Sequence, residues 1–241
     1  MTGTVDAEQA TAVRYDDATD QLAFVPSLFT QGADGTTQAV IKRTGNSSYA
    51  VVSGSKTFGD VQTNWAKSAI ESLASKLIVS GVDAEHFYPN QSITRAEFTA
   101  LTVRALGVNE AAGDAAFSDV SSDKWYAGAV GTAVQAGLIS GYEDGSFRPS
   151  QKISRQEIAV IVMKAVGIAG VNAAASNNDS LAAFAYSAQI ADWSKQAVSS
   201  AVEAKIVEGL EGGKFAPSAS ATRAEAVTML QRMLKHVKFI N

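Results

Sequence analysis

The 241-residue sequence predicts a mainly α-helical protein in which three two-helix repeats follow a short antiparallel β-segment. Two observations lead to this fold class. A set of rare residues recurs three times at identical spacing over residues 57–241, whereas residues 1–56 contain short β-branched or aromatic runs separated by turn residues. Apolar residues make up 46% of the chain and charged residues 18%, which is typical of a protein with a sizeable core.

Residues 1–56 are predicted to form the β-segment, with three or four strands. The runs with strand character are Val13–Tyr15, Leu22–Val25, Ala39–Lys42 and Tyr49–Val52. The turn residues between them are Asp16-Asp17, Gly32 to Gly35 and Gly45-Asn46. Three or four short strands are only marginally stable alone. We therefore expect the segment either to dock on the helices or to be the tail of an upstream β-domain.

Three tryptophans set the register of the repeats. In the first copy, Trp65 is followed in turn by Gly81, Phe87, Pro89 and Arg95. The same four residue types follow the other two tryptophans at identical spacing. Those tryptophans are Trp125 and Trp193, and their arginines are Arg155 and Arg223. Each copy is therefore one supersecondary unit plus a connection of variable length. We place them at residues 57–112, 113–170 and 171–241, with a polar linker at 170–180 before the third.

Each copy is predicted to be two helices joined by a loop. In the first copy, apolar residues recur at helical spacing from Trp65 to Leu77, with Asn64 placed to cap the helix and Gly81 to stop it. Gly141 and Gly209 are predicted to stop the matching helices of the other two copies. The second helix opens with a capping box at Thr94–Glu97, Ser154–Glu157 and Thr222–Glu225. One apolar stripe follows each box, and because a single unit cannot bury that stripe alone, the three copies should pack together.

Composition excludes several classes of function. A net charge of −4 argues against a general nucleic-acid binder. The absence of cysteine removes disulfides, thiolate metal sites and cysteine nucleophiles, and two histidines are too few for a typical zinc enzyme, so no cofactor is predicted. The longest apolar stretch, Ile158–Gly170, is too short to span a bilayer. The start lacks the apolar region of a signal peptide, so we expect a cytoplasmic chain or an excised part of a longer exported one.

The copies resemble S-layer homology (SLH) repeats over roughly residues 57–241. In the first copy the resemblance rests on Phe58-Gly59-Asp60-Val61, Trp65, Gly81, Phe87-Tyr88-Pro89 and Thr94-Arg95-Ala96-Glu97. In the second it rests on Phe117-Ser118-Asp119-Val120, Trp125, Gly141, Phe147 and Ser154-Arg155-Gln156-Glu157. The family implies a pseudo-threefold arrangement in which each repeat contributes one helix to a central three-helix bundle.

The resemblance also implies a function. SLH domains anchor exported proteins non-covalently to the bacterial cell wall, usually through a secondary cell wall polysaccharide that carries pyruvate ketals. The chain is therefore expected to be a non-catalytic, extracellular, monomeric module of a cell-surface protein, with no nucleic-acid partner and no membrane insertion.

Twelve residues are candidate ligand contacts. A pyruvate ketal presents a carboxylate, which would gain from both a helix N-terminus and the planar guanidinium of each repeat arginine. Serine hydroxyls and glycine amides could hold sugar hydroxyls, while the tryptophans are interpreted first as core wedges and second as flat walls for sugar rings. The set is Arg95, Arg155, Arg223, Ser80, Gly81, Ser140, Gly141, Asp60, Asp119, Trp65, Trp125 and Trp193.

The third copy departs from the pattern. It lacks the Phe-x-Asp-Val opening, because Asp192 stands directly before Trp193. Glu208 also stands where the first two copies have a serine. A carboxylate there is expected to engage Arg223, which predicts that Arg223 contributes least to binding.

Two other functions remain open at this point. The chain could be a fragment of a wall-glycan-processing enzyme, with Asp119 and Asp123 as paired acids, although nothing in the sequence fixes them around a cleft. It could also be a helical protein-interaction scaffold in a surface layer. Three copies of unequal length favour a closed cluster over an open solenoid.

Overall fold

The computed structural model describes residues 5–16, 20–42, 45, 47–110, 117–173, 177, 179–184, 187–210 and 213–241, and it contains five strands followed by six α-helices in these ranges. The strands are β1 (Ala10–Asp16), β2 (Gln21–Val25), β3 (Ser27–Gln31), β4 (Thr37–Ile41) and β5 (Tyr49–Ser53). The helices are α1 (Lys67–Ser75), α2 (Arg95–Ala105), α3 (Ala127–Gln135), α4 (Arg155–Ile168), α5 (Asp192–Glu203) and α6 (Arg223–His236). None of the helices in the described part is long and apolar enough to cross a membrane.

The strands form two small antiparallel sheets, which confirms the predicted β-segment. One sheet has the order β2-β1-β5, and β3 pairs with β4 in the other. Strand β3 is missing from the predicted runs because only Pro26, which has no backbone N–H to donate, separates it from β2. Asp17 and Asn46 of the predicted turns, and residues 174–176 and 178 of the predicted linker, lie outside the described residues.

The β-segment is docked on the helices. The amide of Ser27 donates to the carbonyl of Phe239 at 2.9 Å, and the Asn241 side chain exchanges two hydrogen bonds of 2.9 Å with the backbone of Phe29. The ring of Phe24 belongs to the same buried cluster as the helix side chains. The first of the two expected arrangements, docking, is therefore the one observed.

Lys76 is a buried cation at this junction. Its ammonium donates to the carbonyls of Ala7 and Ala10 at 2.6 and 2.8 Å, and only 2% of the residue is exposed. Burial lowers its pKa from 10.5 to about 8, although the nearby carboxylates of Glu8 and Asp6 oppose this shift.

The lowered pKa of Lys76 predicts a specific pH dependence. Between pH 8 and pH 10.5 the unfolded chain binds more protons at this site than the folded one, so the contribution of Lys76 to the free energy of unfolding should rise with pH across that window. In urea unfolding, the free energy of unfolding of the natural protein should rise relative to that of Lys76→Met from the lower to the higher pH. A difference that stays constant across the window would contradict this assignment.

All three predicted capping boxes are present. The hydroxyls of Thr94, Ser154 and Thr222 each accept from the backbone amide three residues later, and the glutamate at that position accepts from the cap's own amide. These boxes fix the starting residues of α2, α4 and α6. An arginine is the first residue of each of these three helices.

Helices from different repeats pack on each other. Helices α2, α4 and α6 contact one another, while α1 packs on α6, α3 on α2 and α5 on α4. The loops before the second helices are joined in a closed cycle of backbone hydrogen bonds, from Ile93 to Ala221 at 3.1 Å, from Ile153 to Ile93 at 3.1 Å and from Ala221 to Ile153 at 2.9 Å. These bonds hold the N-termini of α2, α4 and α6 side by side.

The first helices are shorter than predicted, and the prediction that Gly81, Gly141 and Gly209 stop them is wrong. Helix α1 ends at Ser75, and Leu77, with φ of 61°, is the left-handed residue that follows it. A Cβ atom at Gly81 or Gly141 would clash with a phenylalanine ring and a backbone carbonyl, so close packing requires glycine there.

Candidate functional site

The three repeat arginines are buried against the next repeat in cyclic order. Between 2% and 9% of each residue is exposed. The guanidinium of Arg95 lies 4.9 Å from the ring centre of Phe147, that of Arg155 lies 5.4 Å from Phe215, and that of Arg223 lies 4.4 Å from Phe87. The first repeat therefore reaches into the second, the second into the third and the third into the first.

Each arginine donates to the carbonyl of the residue before the repeat glycine. Nη2 of Arg95 donates to Ser140 at 2.7 Å, that of Arg155 to Glu208 at 3.1 Å and that of Arg223 to Ser80 at 3.0 Å. Each guanidinium thus fixes the glycine loop of the neighbouring repeat beside the N-terminus of its own helix.

The arginines differ in how fully they are engaged. Arg155 uses all three nitrogens, because Nε donates to Phe215 at 2.7 Å and Nη1 pairs with Glu225 at 2.6 Å. Arg95 makes a longer ion pair, 3.4 Å from Glu157, and its buried Nε has no hydrogen-bond partner among the described residues. Burial lowers the pKa of Arg155 and of Arg223.

Glu208 does not engage Arg223, so that expectation is wrong. The Glu208 carboxylate pairs with Arg232 at 2.7 Å, and its carbonyl accepts from Arg155. Because each arginine reaches forward by one repeat, the loop that carries Glu208 lies beside Arg155. Arg223 instead faces the loop of Ser80 and Gly81.

Two grooves lie along these contacts, and each takes residues from all three repeats. The Arg95 groove has a volume of about 320 Å³, and its lining includes Arg95, Ser140, Gly141, Tyr142, Lys164 and Trp193. The Arg155 groove has a volume of about 250 Å³, and its lining includes Trp65, Arg155, Glu208, Gly209, Glu225 and Arg232.

The tryptophans are exposed, so their interpretation as core wedges is wrong. The exposed fractions are 65% for Trp65, 66% for Trp125 and 61% for Trp193. The buried faces of the first helices carry smaller aliphatic residues instead, such as Ile70 and Leu73 in α1. Two of the indole rings line the grooves, where the apolar ring face is available to a ligand.

Asp60 and Asp119 hold the loops behind the arginines. The carboxylate of Asp60 accepts from the backbone amides of Phe87 and Tyr88, and that of Asp119 accepts from those of Phe147 and Arg148. Tyr88 and Arg148 have φ of 56° and 60°, a left-handed conformation that these hydrogen bonds help to maintain. The two aspartates therefore position the loops and are not free to meet a ligand.

The sequence reasoning missed Phe184. Its ring contacts Phe215 at 5.7 Å, as Phe58 contacts Phe87 at 5.6 Å in the first repeat, and it meets Gly209 as Phe58 meets Gly81. Phe184 thus occupies in the third repeat the place that Phe58 has in the first. Its position in the sequence could have indicated this role, because the separation of Phe184 and Phe215 is nearly the same as that of Phe58 and Phe87.

Tyr142 was also missed, and it is specific to the Arg95 groove. Its hydroxyl donates to Glu157 at 2.9 Å, and the guanidinium of Arg148 lies 3.9 Å from its ring centre. Burial, reinforced by the hydrogen bond to Glu157, raises the pKa of the phenol. The sequence could have indicated this difference, because the residue after the repeat glycine is tyrosine only in the second repeat and is Val82 or Leu210 in the other two.

The family model of the S-layer homology domain matches residues 57–99, 116–159 and 188–227. The chain belongs to the SLH family. This match confirms the resemblance expected from the motifs and places three tandem SLH repeats in the chain.

Several longer proteins share this SLH region. The chain is 39% identical over 190 residues to an amylopullulanase of Thermoanaerobacterium thermosulfurigenes. The aligned region covers 78% of this chain and 10% of the relative. It is 30% identical over 178 residues to the surface-layer 125 kDa protein of Lysinibacillus sphaericus, covering 73% and 14%. It is 29% identical over 157 residues to a cellulosome-anchoring protein of Acetivibrio thermocellus, covering 62% and 33%. The matched region therefore spans from a tenth to a third of these relatives.

Proposed function

We propose that this chain attaches a protein to the bacterial cell surface by binding an acidic wall polysaccharide in the grooves between its SLH repeats, without catalysis. The Arg95 groove carries the proposal, because a buried guanidinium, an exposed serine and an exposed indole from three different repeats converge there. The surface-layer and cellulosome-anchoring relatives support attachment at the cell surface.

The chemistry of the Arg95 groove suits a pyruvylated secondary cell wall polysaccharide. The ketal carboxylate would replace the long contact between Arg95 and Glu157 and form a planar, charge-assisted pair with the guanidinium. Among the described residues the backbone N–H of Gly141 has no acceptor, so it is available to a ligand oxygen. The Trp193 ring offers an apolar wall to the sugar.

We also infer that the repeats have pseudo-threefold symmetry, with α2, α4 and α6 as the central three-helix bundle. Support comes from the cyclic hydrogen bonds of Ile93, Ile153 and Ala221 and from the cyclic reach of the three arginines. Repeat boundaries of 57–112, 113–170 and 171–241 fit this arrangement. A closed cycle leaves no repeat without a neighbour, which supports a monomer.

The enzyme alternative gains no support from its candidate acids. The Asp119 carboxylate is occupied by loop amides. Asp123 is exposed and pairs with Lys124 at 3.2 Å, and hydrogen bonds from Ser121 and Lys124 lower its pKa. A glycosidase acid needs a raised pKa to hold its proton, so Asp123 does not suit that role.

Calorimetric titration with pyruvylated wall polysaccharide tests the proposal. Arg95→Ala should weaken binding at least thirtyfold, about 2 kcal/mol, because a carboxylate loses its charged partner in a partly desolvated groove. Chemical removal of the pyruvate groups should weaken binding by the natural protein to a similar degree, and added salt should weaken it as well.

Arg14→Ala, in strand β1 away from the grooves, is the matched control and should bind as the natural protein does. Melting curves of both variants separate lost binding from lost folding. Equal affinity for the pyruvylated and the depyruvylated polysaccharide would overturn the proposal.

A further inference from the structure

A second cation follows the capping-box glutamate along each of the three second helices. Arg104, Lys164 and Arg232 stand seven residues after Glu97, Glu157 and Glu225 in α2, α4 and α6. Seven residues are close to two helical turns, so each cation lies on the same face as its glutamate, about 10 Å further along the axis.

Only Lys164 is available to a ligand. It lines the Arg95 groove, is exposed, and makes no hydrogen bond or ion pair within the part of the chain that the structure describes. Arg232 is paired with Glu208 at 2.7 Å, and Arg104 donates to the carbonyl of Ile78 at 3.1 Å.

Arg95 is also less engaged than Arg155, the corresponding cation of the other groove. Arg95 has a buried Nε without an acceptor among the described residues, and Glu157, its long ionic partner, already accepts from Tyr142. A carboxylate that approaches Nη1 of Arg95 therefore displaces only this long contact. At Arg155 it would have to displace a pair of 2.6 Å with Glu225.

The charges that line the two grooves also favour the Arg95 groove as the site for an anion. The Arg95 groove contains two cations, Arg95 and Lys164, and one carboxylate, Glu157. The Arg155 groove contains two cations and two carboxylates, because Glu208 adds a charge that the serine of the other repeats lacks. An anionic ligand is attracted to the first groove and gains little from the second.

We propose that the Arg95 groove is the principal binding site and that it takes a glycan segment with two acidic groups, one at Arg95 and one at Lys164, while Glu208 keeps the Arg155 groove neutral. Because Arg95 pairs with Glu157, the rise of about 10 Å from Glu157 to Lys164 along α4 sets the expected spacing of the two groups. The inference rests on the proposed function and specifies its ligand as a dianionic segment of the wall polysaccharide. Lys164 and Glu208 are thereby specificity-determining residues of this chain.

Two synthetic oligosaccharides of equal length test this inference, one with a single pyruvate ketal and one with two ketals spaced about 10 Å apart. In calorimetric titration the natural protein should bind the two-ketal probe about twofold to fivefold more tightly than the single-ketal probe, as expected for one added charge contact in a partly exposed groove. Lys164→Gln should bring the ratio of the two dissociation constants close to one. The same substitution at Lys67, on α1 outside both grooves, should leave that ratio unchanged.

Glu208→Ser supplies a gain of function. It restores the serine of the other repeats and releases Arg232, so a second binding event for the two-ketal probe should appear. The inference fails, and the proposed function stands, if the natural protein binds both probes with equal affinity. The same holds if Lys164→Gln still binds the two-ketal probe more tightly than the single-ketal probe. If neither probe binds the natural protein, the proposed function itself fails. The absence of a second event in Glu208→Ser would overturn the role given to Glu208.

Discussion

Replacement of Arg155 by alanine should lower the free energy of unfolding by about 3–5 kcal/mol, the range for removing one partner of a buried ion pair. Only 3% of this side chain is exposed, and it joins the second repeat to the third through Glu225 at 2.6 Å and the carbonyls of Phe215 and Glu208. Without the guanidinium, the largely buried Glu225 carboxylate keeps its charge but loses its cation, and both carbonyls lose a donor.

Urea unfolding and thermal melting measure this effect. For a chain of this size, 1 kcal/mol corresponds to roughly 2–4 °C in Tm, so the melting point should fall by roughly 6–20 °C. Arg148→Ala is the matched control, because Arg148 pairs with Asp144 at 2.9 Å on the surface and should contribute less than about 1 kcal/mol. Equal destabilisation by the two substitutions would show that the buried pair does not hold the repeats together.

The local features of this fold could be predicted from the sequence because short-range chemistry determines them. A hydroxyl followed three residues later by glutamate specifies a capping box whatever the tertiary surroundings, and all three boxes form as predicted. The boxes also fix each arginine as the first helical residue. Phe87, Phe147 and Phe215 are also buried, as the apolar character of phenylalanine favours.

The partners of the arginines could not be predicted, because they depend on how the copies are arranged in space. All three copies carry the same motif, so the sequence does not distinguish an arginine that meets its own glycine loop from one that meets the next. The misassignment of Glu208 to Arg223 follows directly from this ambiguity. With Glu208 beside Arg155, that arginine replaces Arg223 as the one expected to contribute least to ligand binding.

The exposure of the tryptophans escaped prediction for a different reason. Apolar character favours burial, and helical periodicity placed Trp65 on the same stripe as Leu73. In the structure the indole lies just before the start of α1, where the chain has not yet entered the helix, and Trp65 lines the Arg155 groove. Large exposed apolar rings beside buried guanidinium groups are a feature of a binding surface.

A chain of residues 57–110, which contains the first repeat alone, should have no stable fold. Its two helices, of 9 and 11 residues, do not rely mainly on each other, because α1 packs on α6 and α2 packs on α3. Helices of this length are marginal in water without tertiary contacts. The loop between them is also incomplete alone, since Ile93 bonds with Ala221 and Ile153 of the other repeats.

Far-ultraviolet circular dichroism with thermal melting tests this expectation. The single repeat should show little helix and no cooperative transition, because Ile70 and Leu73, fully buried in the whole protein, would lose the neighbours from the third repeat that cover them. The full chain, measured at the same concentration, should melt in one sharp transition, since the cyclic contacts make each repeat depend on the other two. A single repeat that melts sharply and independently of concentration would mean that packing within one copy is sufficient, and the closed cycle of contacts would then not be the source of stability.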